Sequence, residues 1–366
     1  MGDGKVVEKT IGIVGAGPAG ALLALRLTSR GESVFLYDHK APWEKPCGGV
    51  IREDAFVEFP ELREYPYSVN RCHKIYYVSG ENERELVKLE APLPTVSRME
   101  LSRFFLQNAI SAGAEFVPEK VTRVYRQDDR WIIETSVGDY RVDVLVGADG
   151  ASSIVRSFTV GRFPREHLSL TCGYILTGTP GRELFFQFLD SFGYMWFIPN
   201  SNHTNAGIGV RLGASSAKEL FKRLDEFLGT NFPGFRLKKR YSALVPTVTD
   251  STFFDDSCCG DDWLLVGDAS GHVDPILGEG LYYALKSGTL AAEAIELGDI
   301  HSYDRSLKEA CGAHLKERAV FMASLSHIAK DVDPGFVGLL MSGYWKQILG
   351  GYETSFEKGS SISQCP

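Results

Sequence analysis

The 366-residue sequence has no framework of paired cysteines. Its seven cysteines (Cys47, Cys72, Cys172, Cys258, Cys259, Cys311 and Cys365) are odd in number, irregularly spaced and form no C-x-x-C. That pattern argues against a disulfide scaffold, a zinc site and an iron–sulfur ligand set. No metal is expected, and a reducing cytosol fits best. Positive charge is also short. The formal net charge is −8, which argues against nucleic acid as a partner, because affinity there rests on Lys and Arg neutralising phosphates. No apolar run reaches membrane-spanning length, and Met1 to Lys9 carries no apolar core of signal-peptide length. The expectation is a soluble cytoplasmic chain that at most lies on the inner face of a membrane. Repeats and low-complexity tracts are absent. The 44% hydrophobic and 23% charged residues are ordinary globular composition.

What is present starts near the N-terminus. Thr10 to Val14 reads as a short buried strand. Pro18 to Ser29 reads as a helix, with Pro in its first turn and Gly31 just beyond its end. Ser33 to Asp38 reads as a second strand. Between the first strand and the helix lies G-x-G-x-x-G at Gly15, Gly17 and Gly20. In that motif the first glycine permits the tight turn. The second lets backbone approach a pyrophosphate, and the third lets helix pack on strand. Pro18 and Ala19 open the helix whose free N–H groups face phosphate oxygens. Asp38, 18 positions after Gly20, suits the ribose hydroxyls of an adenosine. The order predicts a doubly wound dinucleotide-binding domain.

Further along, Ser97-Arg98-Met99-Glu100 is a capping-box pattern, with Leu101, Phe104, Phe105 and Ala109 at helical spacing up to Gly113. Arg98 at that helix start would complete a pyrophosphate clamp, the alternative being a solvated surface arginine. Glu115 to Val117 reads as a strand. Val121 to Val146 reads as a β-meander with turns at Asp128-Asp129 and Gly138-Asp139, and Val121 is placed against an adenine by backbone contact. Leu168 to Leu212 reads as an antiparallel sheet with turns at Thr179-Pro180-Gly181 and Asn200 to Asn202. Ser216 to Gly229 reads as an amphipathic helix. In Gly193 to Pro199, Tyr194 and Trp196 share one strand face and Met195 and Phe197 the other. The aromatic face is either an apolar slot or ordinary sheet core.

NAD and FAD share the glycine turn. Trp263 to Ala269 favours FAD, because a strand ending in Gly267-Asp268 places a carboxylate near ribitol hydroxyls. Gly278 and Gly280 open a long helix to Leu297, whose positive end stabilises an anionic reduced flavin. Only one G-x-G-x-x-G occurs, so no separate nicotinamide domain is expected. Pro46-Cys47-Gly48-Gly49-Val50 lets backbone pass close to a flat ligand, with Cys47 either facing that ligand or buried in a turn. The remainder to Pro366 reads as helical, fraying near Gly359-Ser360-Ser361. Phe336 to Leu349, with Met341, Tyr344 and Trp345, is either core or a partner surface. The fold class is therefore α/β: a doubly wound FAD-binding Rossmann-like domain (1–70, 95–165 and 260–300), an inserted antiparallel-sheet substrate domain (71–94 and 166–259), and a helical C-terminal segment (301–366).

Leu145 to Ser153 with Arg156 resembles the Asp149-Gly150 motif of flavoprotein monooxygenases. Taken together, Pro46 to Gly49, Tyr194-x-Trp196-x-Ile198-Pro199, and Gly267 to Pro275 running into Gly278-Glu279-Gly280-Leu281 resemble the geranylgeranyl reductase family. The resemblance spans roughly Thr10 to Leu297. It implies FAD contacts at Ala19, Asp38, Cys47, Gly49, Arg98, Val121, Asp268, Gly280 and Leu281, with Asp149, Gly48, Gly267, Pro275 and Gly278 in the same motifs. It further implies saturation of C=C bonds in a long isoprenoid chain, with reduced nicotinamide or ferredoxin as electron donor and peripheral membrane contact for an apolar substrate. One departure is Ile198-Pro199, where the family often has Phe-Pro; Ile-Pro is also the form found in halogenases. Slot candidates are Cys47, Tyr194 and Trp196, and proton-donor candidates are Cys47, His272 and Tyr194. The rival chemistry is a monooxygenase or halogenase acting through a flavin hydroperoxide. A non-catalytic electron-relay flavoprotein is the third reading.

Overall fold

The computed structural model describes residues 9–79, 83–178, 181–189, 193–328, 340–341, 343–345 and 351–358. Short apolar runs dictate the first layer. TIGIV, SVFLY, VLVG and WLL are nearly continuous in apolar character, as strands buried on both faces must be. They form a parallel sheet in the order Trp263–Leu265, Val144–Gly147, Thr10–Val14, Ser33–Tyr37, Glu115–Val117. The expected meander therefore loses its last strand. Val121–Gln127, Arg130–Thr135 and Asp139–Val142 make a separate three-stranded sheet, while Val144–Gly147 crosses to the parallel one. Alternation cannot reveal that step, since Val142 and Val144 are both buried.

Helix Pro18–Thr28 lies against helix Leu281–Glu296. Their contact depends on Gly288, where an added Cβ would stand 2.6 Å from the Ala19 carbonyl oxygen.

The second layer is an eight-stranded sheet in the order Arg236–Pro246, Leu168–Thr177, Thr204–Arg211, Gly193–Pro199, Glu183–Leu189, Asn70–Ser79, Glu83–Thr95, Gly351–Lys358. All neighbours are antiparallel except Glu183–Leu189 with Asn70–Ser79. One face packs Met195, Phe197, Cys172 and Ile208 against the amphipathic helix Ala217–Asn231, through Leu220, Phe221, Leu224 and Phe227. The opposite face turns toward the parallel-sheet layer.

The C-terminal region is only partly helical. His301–Leu307 and Ala313–Ile328 are helices joined by a π-turn, but Gly351–Lys358 is a strand paired with Glu83–Thr95. Its partner lies more than 250 positions upstream, so local pattern does not disclose it. Met341 and Trp345 are buried with Tyr77, Phe186 and Ile276, which makes them core rather than partner surface. The Thr179-Pro180 turn, Phe336 and the Gly359-Ser360-Ser361 segment lie outside the described residues.

Two glycine substitutions separate packing from propensity. Gly288→Ala is expected to destabilise by about 1–3 kcal/mol, because backbone meets backbone. Gly229, inside Ala217–Asn231, has nothing within 4 Å of its would-be Cβ. Gly229→Ala should stabilise by about 0.5–1 kcal/mol. Urea unfolding midpoints of the two variants check both signs.

Candidate active site

A continuous cavity of about 840 Å³ runs between the two layers. Its first end is the glycine turn. Gly15 has φ +106 and donates its N–H to Tyr37 O at 2.8 Å. A Cβ there would meet the Ala148 carbonyl oxygen at 2.3 Å, so only glycine closes this turn. Gly17 has open space beyond it, and Gly20 packs its helix on the Gly15 carbonyl. Gly15, Gly17, Pro18, Ala19, Asp38, Val121 and Asp149 all line this end, while Gly20 lies behind the wall. Asp38 anchors it, accepting N–H bonds from Ala16 at 3.0 Å and Lys40 at 2.8 Å.

Four buried polar atoms on this wall have no partner among the described residues: Tyr37 Oη, Arg98 Nε, Ser102 Oγ and Asp149 Oδ1. Buried polar groups are normally paired. Unpaired donors and acceptors beside open space above a glycine turn fit a hydrogen-bonding dinucleotide, so the residues present suit a flavin nucleotide.

Arg98 is 5% exposed, which removes the surface-arginine alternative. Its helix is capped differently from the capping-box expectation. Ser97 Oγ accepts from Glu100 N at 3.3 Å, but the Glu100 carboxylate accepts from Asn202 instead of returning. Glu44, from the loop after Asp38, takes its place. It accepts from Arg98 N at 2.9 Å, Met99 N at 3.0 Å and Ser97 Oγ at 3.0 Å. A carboxylate on three donors at a helix N-terminus is the better cap.

The middle of the cavity is built from three loops. At Gly267, the N–H donates to Ser287 Oγ at 2.9 Å, and Asp268 Oδ2 accepts from Lys45 Nζ at 2.7 Å. Lys45 precedes the Pro46 to Gly49 loop, so this ion pair ties that loop to the Gly267 turn. Gly49 has φ +77 and its would-be Cβ lies 2.2 Å from Val96 O. Cys47 is half-buried on the wall, and its sulfur accepts from Gly49 N at 3.4 Å. Pro275, Gly278, Gly280, Leu281 and Gly48 complete the wall.

Asp274 shapes the third loop. Its Oδ1 accepts from Ile276 N at 2.8 Å and Leu277 N at 3.0 Å, and its Oδ2 pairs with buried Arg318. Tyr194 then donates its hydroxyl to Leu277 O at 2.6 Å. Burial pushes the Tyr194 hydroxyl well above its ordinary value. Trp196 Nε1 donates to Asn205 Oδ1 at 2.7 Å, which fixes the indole. Phe186, Met322, Met341 and Trp345 close an apolar chamber beside these two aromatics. The Tyr194–Trp196 face is thus a cavity wall as well as sheet core.

His272 is off this wall. It is 3% exposed, packs on Phe254, and has Nδ1 at 3.0 Å from Ser270 Oγ. Burial lowers it to about 4, so it is neutral and structural. Glu279 was not a candidate, yet it lines the cavity. Its Oε1 accepts from Tyr282 N at 2.7 Å, and burial raises the carboxyl to about 7 despite nearby Arg52. Lys45, Glu44 and Arg318 carry no local signal either, since their partners lie 44 to 223 positions away. Only the two glycines flanking Glu279 offered a local signal.

These features define a flavin-dependent oxidoreductase. No family model matches the chain. An uncharacterised protein of Methanosarcina barkeri is 30% identical over 303 residues, covering 77% of this chain and 73% of that protein. A digeranylgeranylglycerophospholipid reductase of Methanosphaera stadtmanae is 26% identical, with 85% and 86% covered. Among solved structures, a geranylgeranyl bacteriochlorophyll reductase-like protein from Thermoplasma acidophilum aligns with TM-score 0.71 at 19% identity, covering 93% and 96% of the two chains. A halogenase in complex with phloroglucinol and FAD aligns with TM-score 0.70 at 14% identity, covering 92% of this chain and 79% of that one. The chain belongs to the geranylgeranyl reductase family.

Removing the Asp274 carboxylate strands a buried guanidinium. Asp274→Ala is expected to cost about 3–5 kcal/mol in urea unfolding, and pairing it with Arg318→Met should recover most of the loss. For Glu279, the folded carboxyl at about 7 lies above the ordinary 4.5. Stability from its protonation is therefore complete below about pH 4.5 and lost as pH rises through about 7. Glu279→Gln should leave unfolding unchanged near pH 4 and gain roughly 1–3 kcal/mol relative to the parent by pH 8.

Proposed function

We propose that the chain binds FAD along the cavity and saturates C=C bonds of an isoprenoid chain. The observation that carries this reading is continuity: the glycine turn, the Asp268 region and the apolar chamber beside Tyr194 and Trp196 share one cavity. Gly15, Gly17, Asp38, Arg98 and Val121 would hold the ADP half. Asp149, Gly267 and Asp268 would hold the pyrophosphate and ribityl groups, and Cys47 to Gly49 with Pro275 to Leu281 would hold the ring system. Bound flavin supplies a hydride when reduced.

The protein's own part is placement. An isolated alkene accepts hydride poorly, so it must be held still in a dry slot. Tyr194 is immobilised by Leu277 O and Trp196 by Asn205, so the slot is preformed. The Tyr194 proton is engaged and raised in pKa, and Cys47 and Glu279 are further protic side chains on the cavity wall. The relatives' names support an isoprenoid substrate; reduced nicotinamide or ferredoxin is the donor this reading calls for. A substrate drawn from a membrane fits peripheral contact, and no described helix is long and apolar enough to cross one. Lys45, a lysine on the wall, is paired with Asp268, which weighs against a free lysine of the halogenase kind.

Anaerobic mixing of the reduced, flavin-loaded protein with geranylgeranyl lipids should reoxidise the flavin and add hydrogen to the lipid by mass. Persistence of reduced flavin together with unchanged lipid overturns the reading, and a long-lived hydroperoxide spectrum in oxygen would favour the rival chemistry. Arg98→Ala should weaken FAD binding by about 10- to 100-fold in direct titration, the worth of a charge-assisted hydrogen bond.

A further inference from the structure

The cavity-facing side of the large sheet is organised in rungs by strand register. Paired residues across neighbouring strands share a face. The first rung is Trp196, Gly207, Gly173 and Tyr241. The second is Tyr194, Gly209, Thr171 and Ala243. The third contains Arg211, Ser169 and Val245. Rungs two residues apart are separated by about 7 Å along the strands. The character changes steadily across them, from large aromatics through small side chains to a guanidinium and a hydroxyl.

The third rung lines the same cavity. Thr247 joins it, donating its hydroxyl to Ser169 Oγ at 2.7 Å. Ser169 Oγ accepts that bond, so its own O–H remains free to donate. Arg211 has no carboxylate partner among the described residues. The other cavity-lining cations of the substrate half and the central loops are neutralised: Lys45 by Asp268, Arg52 by Asp54 and Arg318 by Asp274. An unneutralised guanidinium beside the free Ser169 hydroxyl donor, along the small side chains of Gly209, Thr171 and Ala243, suits a phosphate group. Guanidinium binds phosphate oxygens through paired N–H donors.

We propose that Arg211 and Ser169, the latter oriented by Thr247, form a phosphate-binding end of the cavity, which anchors the charged end of a small molecule whose remainder reaches the Tyr194–Trp196 slot. This rests on the slot being where a reactant lies, as proposed above. The trough is short enough for one molecule to span. Arg211 is one rung, about 7 Å, beyond the pair Tyr194–Gly209. Two sources share this chemistry: a phosphate on the isoprenoid substrate itself, and the phosphate of a reduced nicotinamide donor.

The test is a calorimetric titration of the FAD-loaded protein, in which flavin already fills the glycine-turn end. Inorganic pyrophosphate is the first probe. Arg211→Ala should weaken its binding at least tenfold and flatten its salt dependence, Arg211→Lys should weaken it less, and Ser169→Ala should fall between the parent and Arg211→Ala. Unchanged pyrophosphate affinity in Arg211→Ala and Ser169→Ala, with flavin content and melting temperature retained, overturns the proposal. Geranylgeranyl diphosphate, uncharged geranylgeraniol and reduced nicotinamide dinucleotide phosphate then identify the source. Weakening confined to the diphosphate assigns the site to the substrate, and weakening confined to the nicotinamide assigns it to the donor. Binding is read without turnover, so a failed alkene reduction leaves this outcome intact.

Discussion

The Asp274 carboxylate is the point on which the cavity's shape depends. One oxygen holds two backbone N–H groups of the loop that follows, and the other holds Arg318 from a helix 44 residues later. Burial lowers Arg318 to about 10, so it stays cationic at neutral pH. A buried ion pair contributes little net stability, because desolvation offsets its attraction. What it provides is position. With the loop fixed, the Leu277 carbonyl faces Tyr194, and the Tyr194 ring is set on the sheet side of the slot. The same loop carries Gly278 to Gly280 into the N-terminus of helix Leu281–Glu296. Three parts of the chain that share no sequence neighbourhood are thereby registered: the sheet, the flavin-side loop and the C-terminal helices.

That arrangement explains what could be read from the sequence. The glycine turn, Asp38, Gly267-Asp268 and the Tyr194–Trp196 face were legible because each is a local backbone demand or a period-two pattern. Steric necessity at Gly15 and Gly49 leaves glycine in the sequence wherever the backbone crowds. The groups that pair across the fold were not legible. Glu44 replaces Glu100 as the cap of helix Arg98–Ser111, because loop closure brings a carboxylate nearer than the capping box offers. Lys45 reaches Asp268 over 223 positions. The strand at Gly351–Lys358 lies in a stretch that reads as helical, because nothing local announces a sheet edge. His272 stood in a motif run and therefore attracted a chemical role, but its burial behind the wall makes it a packing residue. Motif membership located the wall without saying which side chains face it.

The distribution of charge within the cavity follows one rule with one departure. At the central loops, cations are matched by carboxylates, so the region beside the slot is close to neutral and suits an apolar reactant. At the glycine turn, Arg98 Nε and Ser102 Oγ have no partner among the described residues, which suits the phosphate-bearing cofactor proposed there. Arg211 repeats that second pattern on the sheet, where the glycine turn has no say. Leaving a cation unmatched in a partly desolvated site costs free energy in the empty protein, and proteins tolerate such costs mainly at functional positions. Among the described residues, the opposite end of the slot, walled by Phe186, Met322, Met341 and Trp345, has no comparable unmatched charge. A molecule bound at both ends as proposed would be amphipathic and would enter in one orientation. On this geometry, selectivity comes less from the aromatic slot, which any flat or chain-like apolar group can fill, than from the polarity of the path on either side of it.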